Sequence, residues 1–337
     1  MESVYYRNLG SDKRYYDAAV RCMSDHRSKF PVSSDKMAGE IFKNVIYDHP
    51  ELFSAAFAFR ILTTGFKKEV ELKYIYSLYD TNKIASDIEK IATQIIGELI
   101  NPNQSEYDKV RVLHDYLKCN LEYDFDMASN TNLSDRKNVE AHSIVGAFLK
   151  HKCVCEGFAK AMKYLCDRVG VECWVVFGNG NSSLSNGPHA WNIVRINGYY
   201  HHVDVTWDNQ YSDDAFMPNY GYFCLSDEEI AKDHTWDRRN YPQCPSSPYN
   251  FFRVNNALLD SKAQFESFLY NAFQNEEEII MFRVVRGSML EQQINGCLEE
   301  CVFKAAGRCK YITVPTFRYG SVPEQLTYFV RPEYSYN

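Results

Sequence analysis

The sequence predicts an α+β fold, and three observations carry that prediction. Between residues 110 and 169 apolar side chains recur every three or four positions, as on the buried face of a helix. From residue 172 to 206 three short runs rich in Val, Ile, Tyr and Trp follow one another, as strands do. Asn197-Gly198 separates the last two runs, and that pair favours a tight two-residue hairpin, so the sheet should be antiparallel. Helices that precede a sheet, rather than alternating with strands, belong to the α+β class.

At about 150 residues per domain the 337 residues suggest two or three units. Residues 1–100 read as an N-terminal, largely helical α+β region. Met37, Ile41 and Val45 mark one helix, which Pro50 should stop near Asp48. Ile84, Ile88, Ile91, Ile95 and Leu99 mark another, and between them Val70, Leu72, Tyr74 and Tyr76 alternate as a strand with one wet face. A second block, 101–250, opens after Asn101-Pro102-Asn103. Val110, Leu113 and Leu117 place one helix, a second runs from about Val139 to Lys150, and a third starts at or just after Cys155. Phe158, Met162, Leu165 and Val169 share one face of the third, and Gly170 is placed to end it. The strands are Glu172–Gly178, Ala190–Ile196 and Tyr199–Thr206, with GNGNSSLSNGP as a loop between the first two. Pro242, Pro245 and Pro248 then interrupt regular structure. Residues 251–337 read strand–helix–strand–helix–strand–strand (FFRVNNALL, SKAQFESFLYNAF, EIIMFRVVR, MLEQQINGCLEECVF, YITVPTFRY, LTYFVRPEY), a small α+β C-terminal domain.

Composition excludes several classes of function. With 37 basic and 44 acidic side chains the net charge is −7, which argues against gripping a phosphate backbone through bulk charge, so no nucleic-acid partner is expected. The longest near-apolar stretch, Leu52–Phe59, falls far short of the ~20 residues that cross a bilayer. MESVYYRNLGSDKRYY has no apolar core of a signal peptide, so a cytoplasmic location without membrane contact is expected. Eleven cysteines, an odd and unevenly spread set, fit reduced thiols better than a disulfide framework. Cys153-x-Cys155 and Cys297-x3-Cys301 are single pairs without a matching pair nearby, so neither a metal nor another cofactor is expected.

Three segments of the middle block fit one mechanism: CVCEGFAKA (153–161), HAWN (189–192) and VDVTWD (203–208). A thiolate is a far better nucleophile than a thiol. A cysteine in the first turn of a helix has unpaired N–H groups and the positive dipole end aimed at its sulfur. Cys155 has that position. His189, at the start of a strand, can project a ring from the sheet edge, and Asp204, on the next strand of the hairpin, can hold the imidazole tautomer. Adjacent strand residues point to opposite faces, so His202 shares the Asp204 side and is a candidate to line a substrate cleft, while His201 is not. Trp191 and Trp207 are candidates to wall the same cleft. His114, His142 and His151 read as polar-face or interhelix residues.

At these residues the sequence resembles the transglutaminase-like superfamily of papain-like Cys-His-Asp enzymes. The likeness is closest to its bacterial branch, related to the kyphoscoliosis peptidase group. That family carries G-V-C-x-G-[YF]-A, then H-[AV]-W-N, then a hydrophobic-D-x-T-[WP] stretch, and this chain has CVCEGFA, HAWN and VDVTWD in that order. The resemblance spans about 105–250, with DHPELF similar to the leader region of bacterial members. It implies a papain-like core of helices packed on an antiparallel sheet, with Cys155 as nucleophile, His189 as general base and Asp204 as orienting carboxylate. One departure stands out: Cys153 replaces the family's usual Gly, and a small buried thiol is the expected reason. A bond between Cys153 and Cys155 would be geometrically awkward.

The resemblance implies acyl transfer on peptide or protein amides through a thioester. Water as second nucleophile makes a peptidase or amidase, whereas a lysine amine makes a protein-glutamine transglutaminase. The alternative is a catalytically silent peptide-binding scaffold that keeps the fold. Oligomeric state is not legible.

Overall fold

The structure, a computed structural model, describes residues 4–132, 134–181, 186–210 and 219–336. Its first stretch runs α1 (Lys13–Ser24), β1 (Lys29–Val32), α2 (Asp35–Asp48), β2 (Arg60–Thr64), β3 (Lys67–Glu71) and α3 (Leu78–Leu99). Ser34 and Ser77 open α2 and α3, each accepting the backbone N–H three residues on, a donor the helix itself cannot satisfy. α2 stops at Asp48, two residues before Pro50. Asp48 is buried there and accepts the N–H groups of Tyr5 and Tyr6 and the hydroxyl of Tyr16, which fixes the N-terminal segment against α2. The three strands form an antiparallel sheet in the order β1-β3-β2. Of the alternating residues expected in one strand, Val70 alone lies in β3. Past Glu71 the chain leaves its partners: Leu72 N–H turns to Ser28 O and Tyr74 makes a lone bridge with Ala55.

The middle stretch begins with α4 (Glu106–Asn120), β4 (Glu122–Tyr123), α5 (Phe125–Ala128), α6 (Arg136–Ala141), β5 (Lys152–Cys153) and α7 (Cys155–Arg168). The helix expected over 139–150 is broken. α6 ends at Ala141, and Gly146–Lys150 form a separate π-helical turn. A Cβ on Gly146 would lie 2.7 Å from Glu140 O and 2.9 Å from Lys152 O, so the backbone folds on itself at a spacing no straight helix allows. Gly170, at φ +80°, follows α7 and ends it as expected.

Then come β6 (Cys173–Asn181), β7 (Asn186–Ile196), β8 (Tyr199–Val203), α8 (Val205–Gln210), β9 (Phe223–Leu225), α9 (Asp227–Ile230) and β10 (His234–Trp236). The strands form one antiparallel sheet ordered β10-β6-β7-β8-β9. Asn197 and Gly198, at φ 47° and 89°, make the expected hairpin turn. β6 and β7 run further into GNGNSSLSNGP than the sequence suggested, and residues 182–185 of that loop lie outside the described residues. Gly178 and Gly180 are strand residues: a Cβ would stand 2.1 Å from Thr235 O in the first case and 2.5 Å from the Trp207 ring in the second. Their missing side chains admit β10 and two tryptophans.

The last stretch is α10 (Phe251–Val254), β11 (Leu258–Leu259), α11 (Lys262–Gln274), β12 (Ile280–Val284), α12 (Met289–Ala306), β13 (Ile312–Val322) and β14 (Thr327–Tyr336). Its sheet is ordered β11-β12-β14-β13, with β11 parallel to β12. The one departure is at FFRVNNALL, where Asn250 Oδ1 accepts Phe252 N–H and starts a helical turn, leaving two residues for the strand. Two buried apolar clusters each draw on all three stretches. One joins Phe53, Leu113, Phe158, Val203, Phe282 and Val330, and the other joins Tyr16, Ile41, Trp174, Trp191, Trp207 and Val322. Among the described residues no helix is long and apolar enough to cross a membrane.

His201, on β8, is fully buried, and neither ring nitrogen has a hydrogen-bond partner among the described residues. Burial therefore pushes its pKa down from 6.5 to about 4. Between those values the unfolded chain takes up a proton that the native ring refuses, so stability falls as pH drops through that window. Urea unfolding at pH 7 and pH 4 should show the wild type losing about 3 kcal/mol relative to His201→Leu over that interval. A difference between the two proteins that does not change with pH would contradict the assignment.

Candidate active site

α7 differs at its start from the serine-capped helices. Its N-cap is Val154, in an extended conformation with no side-chain acceptor, so nothing from the cap meets the N–H groups of the first turn. Cys155 is the first helical residue, half-buried, with its sulfur at that end. The chain is fixed on both sides of it. Residues 122–123 pair with 152–153, Val154 N–H donates to Ala141 O at 3.0 Å, and Val154 O accepts Phe158 N–H at 3.1 Å. Gly157 is demanded by the same packing: a Cβ there would lie 2.6 Å from Cys153 Cβ and 2.7 Å from Ala141 O. Cys153 is thus the buried floor under the first turn, and burial, followed by the neighbouring Cys155, pushes its thiol well above the ordinary range.

The four residues of HAWN divide the work of joining sheet to helix. Asn192 is buried, and its amide donates to Ala159 O of α7 at 2.9 Å and to Trp174 O of β6 at 3.1 Å. Ala190 is small and buried, and Trp191 donates from Nε1 to His202 Nδ1 at 3.0 Å. His189 presents Nε2 to Asp204 Oδ2 at 2.7 Å, and the Cys155 thiol lies close enough to influence the same ring. The structure thus brings together the three residues singled out in the sequence, from α7, β7 and the segment after β8.

Asp204 does not lie on a strand as expected. β8 ends at Val203, and Asp204 opens α8, its Oδ1 accepting Trp207 N–H at 3.1 Å in the manner of an N-cap. The change matters because it aims the other oxygen sideways. Oδ2 accepts from both His189 and His234, the latter at 3.1 Å. Asp204 is fully buried, which alone would raise its pKa, yet the His189 charge and hydrogen bond, helped by His234, hold it well below the carboxylate range. Burial likewise works against a charge on His189. The Asp204 charge and hydrogen bond, with the Cys155 contact, outweigh it and lift the ring to about 10. The imidazole is therefore cationic at neutral pH.

His234 was not singled out in the sequence, although it closes the stretch YGYFCLSDEEIAKDH. Its Nδ1 meets Asp233 Oδ1 at 2.6 Å, and Asp233 Oδ2 accepts the Tyr222 hydroxyl at 2.7 Å and the Gln325 amide at 3.2 Å. A hydrogen-bonded chain thus runs from the last stretch of the protein to His189. Tyr123, partly exposed on β4, was missed as well. It lies in the field of Cys155 and Asp204 and meets exposed Phe125 edge-on at 4.9 Å, an aromatic surface beside the thiol.

The residues read as substrate contacts have a different place. Trp191 and Trp207 are 1 % exposed and His202 not at all. Trp191 stacks on His189 with ring centres 5.9 Å apart, and Trp207 packs against His189 at 5.2 Å and His234 at 4.1 Å. They are the wall behind the imidazole. His202 accepts from Trp191 at Nδ1, so its proton sits on Nε2, facing Asp227 Oδ1 at 2.9 Å.

Among the described residues two clusters have ligand-like spacing, His189/Asp204/His234 and His202/Asp227/Cys244. In the first, both rings already present N–H groups to one carboxylate oxygen. In the second, a cation on Nε2 would drive the proton to Nδ1, against the Trp191 N–H. Both donor sets are satisfied as hydrogen bonds.

Residues 93–205 match the family described as the Transglutaminase-like superfamily. Over 207 residues the chain is 25% identical to the kyphoscoliosis peptidases of Mus musculus and Homo sapiens, an alignment covering 58% of this chain and 30% of each relative. The chain therefore aligns with less than a third of the length of these curated relatives. A solved structure titled "Crystal structure of a TGase" is 15% identical and aligns with a TM-score of 0.32 over 52% of this chain and 48% of that one. The residues that match this family model lie within the α+β middle stretch.

Histidine NMR should find the His189 ring titrating near 10, and in Asp204→Asn its midpoint should fall by several units, since burial then acts with less opposition. The ion pair's contribution to stability should be complete between pH 3.8 and 6.5, fade as pH rises through about 10, and fade again in acid as Asp204 protonates. Gly157→Ala should destabilise the fold by ~1–3 kcal/mol in denaturant unfolding, because the new methyl group enters occupied space.

Proposed function

We propose that the transglutaminase-like domain of this chain carries out cysteine-dependent acyl transfer on peptide or protein amides. Cys155 is the nucleophile, His189 the base and then the acid, and Asp204 the carboxylate that orients the ring. The observation that carries this reading is the 2.7 Å His189–Asp204 contact with the half-buried Cys155 thiol near the same ring.

With His189 already holding the proton given up by the thiol, the sulfur attacks the amide carbonyl carbon. The carbonyl oxygen gains the negative charge beside the backbone N–H of Cys155, which the helix leaves without an acceptor. When the tetrahedral species collapses, the C–N bond breaks and the leaving amine takes the proton from His189, leaving an acyl-thioester. A second nucleophile, deprotonated by the same ring, releases the acyl group. Water gives hydrolysis and a lysine amine gives transamidation. The name of the curated relatives, peptidase, favours water.

Incubation with a peptide library, with and without a primary amine and read by mass, should give cleavage or deamidation from water and amine-bearing products from transamidation. Cys155→Ala should lower product formation by at least ~10³-fold, and Asp204→Asn by a comparable factor. Products that persist in Cys155→Ala would defeat the catalytic reading, and a wild type that yields none while still binding peptides would leave a silent scaffold.

A further inference from the structure

Away from Cys155, His189 and Asp204, a cleft of about 730 Å³ opens between α9, the proline-rich segment 242–248 and the sheet of the last stretch. Four cationic side chains line it, Lys232, Arg253, Arg283 and Arg286, against two carboxylates, Glu228 and Glu229. That is a local excess of positive charge in a chain whose net charge is −7. Arg283 is the informative member. It is 6 % exposed, and no carboxylate among the described residues forms an ion pair with it. Its Nε donates to Thr327 Oγ1 at 3.2 Å, its Nη2 to Gly221 O, and the Phe252 ring lies 4.8 Å from the guanidinium carbon. No acceptor among the described residues meets Nη1. Burial lowers its pKa to about 10, which still leaves it charged at neutral pH.

A buried guanidinium with no carboxylate in ion-pair contact, and only the more distant charges of Glu229 and Asp208 near it, is a costly arrangement for a fold to keep. At the rim, Lys232 and Arg253 are exposed and without an acidic partner among the described residues. Arg286, by contrast, is engaged with Glu324 O and Glu291. Glu229 is also engaged, closing the cap of α9 through Ser226 N–H. Apolar residues, among them Pro245, Pro248 and Leu326, complete the lining.

We propose that this cleft binds the carboxylate of a peptide, with Arg283 as its buried anchor and Lys232 and Arg253 as the rim that draws it in. The planar guanidinium fork matches a carboxylate. Two acidic residues in the lining disfavour a dianion such as phosphate, and the apolar walls suit the body of a peptide. The volume falls within the usual range of ligand pockets. The carboxylate is either a chain terminus or an acidic side chain. The inference is independent of the acyl-transfer reading, since no triad residue lines the cleft.

Isothermal titration of the full chain carrying Cys155→Ala, which prevents turnover, provides the test. Acetyl-Ala-Leu-Ala with a free C-terminus, its C-terminal amide, the amide of acetyl-Ala-Glu-Ala and inorganic phosphate are the probes. At least one carboxylate peptide should bind ten or more times more tightly than the uncharged amide, and the free-terminus and Glu peptides together tell which carboxylate is read. Lys232→Ala/Arg253→Ala should weaken that binding about tenfold, and Arg283→Lys should weaken it further while circular dichroism remains native. If Arg283→Lys does not fold, the rim variant decides. Equal affinity for the carboxylate peptides and the amide, an unchanged affinity in the rim variant, or phosphate binding more tightly than either carboxylate would overturn the proposal.

Discussion

The architecture of the middle domain turns on one buried carboxylate. Asp204 has no exposure, and its two oxygens accept from Trp207 N–H, His189 and His234, groups drawn from α8, β7 and β10. A buried charge persists only when such donors satisfy it. Each donor is therefore held in place by the penalty for leaving the carboxylate bare. The cation on His189 follows from the same constraint, because the low dielectric around the pair strengthens their attraction along with the desolvation that opposes it.

The surrounding packing is arranged to let those elements approach. Gly178 and Gly180 bring β6 flush against β10 and the tryptophan rings, and Gly157 seats α7 on Cys153. Trp191 and Trp207 fill the space behind the imidazole, and the Asn192 amide ties the strand that carries His189 to the helix that carries Cys155. Helix, strand and turn are thereby registered to one another by buried packing. Positioning of that kind is what the proposed nucleophile–base pair would need, since a small displacement of either partner is enough to slow such chemistry.

The last stretch of the chain is joined to this site. Gln325 donates to Asp233, which holds His234, and Arg283 reaches Gly221 O in the segment that leads to Tyr222. The shared apolar clusters make the same connection through packing.

Much of this was written in local sequence. Period-two and helical spacing, the Asn197-Gly198 turn, Pro50 and Gly170 set the order of the elements, and the strand and helix pattern of 251–337 differs only where Asn250 caps a helical turn. The nearness of Cys155, His189 and Asp204 was foreshadowed by three motifs in a fixed order. What the sequence by itself could not decide were matters of contact between distant segments. The break at Gly146, the departure of Asp204 from its strand, the burial of Trp191, Trp207 and His202, and the arrival of His234 at the carboxylate each depend on neighbours many residues away. Periodicity reports which face of an element is apolar. Which partner covers that face, and which buried charge a polar side chain must satisfy, are settled only when the layers pack.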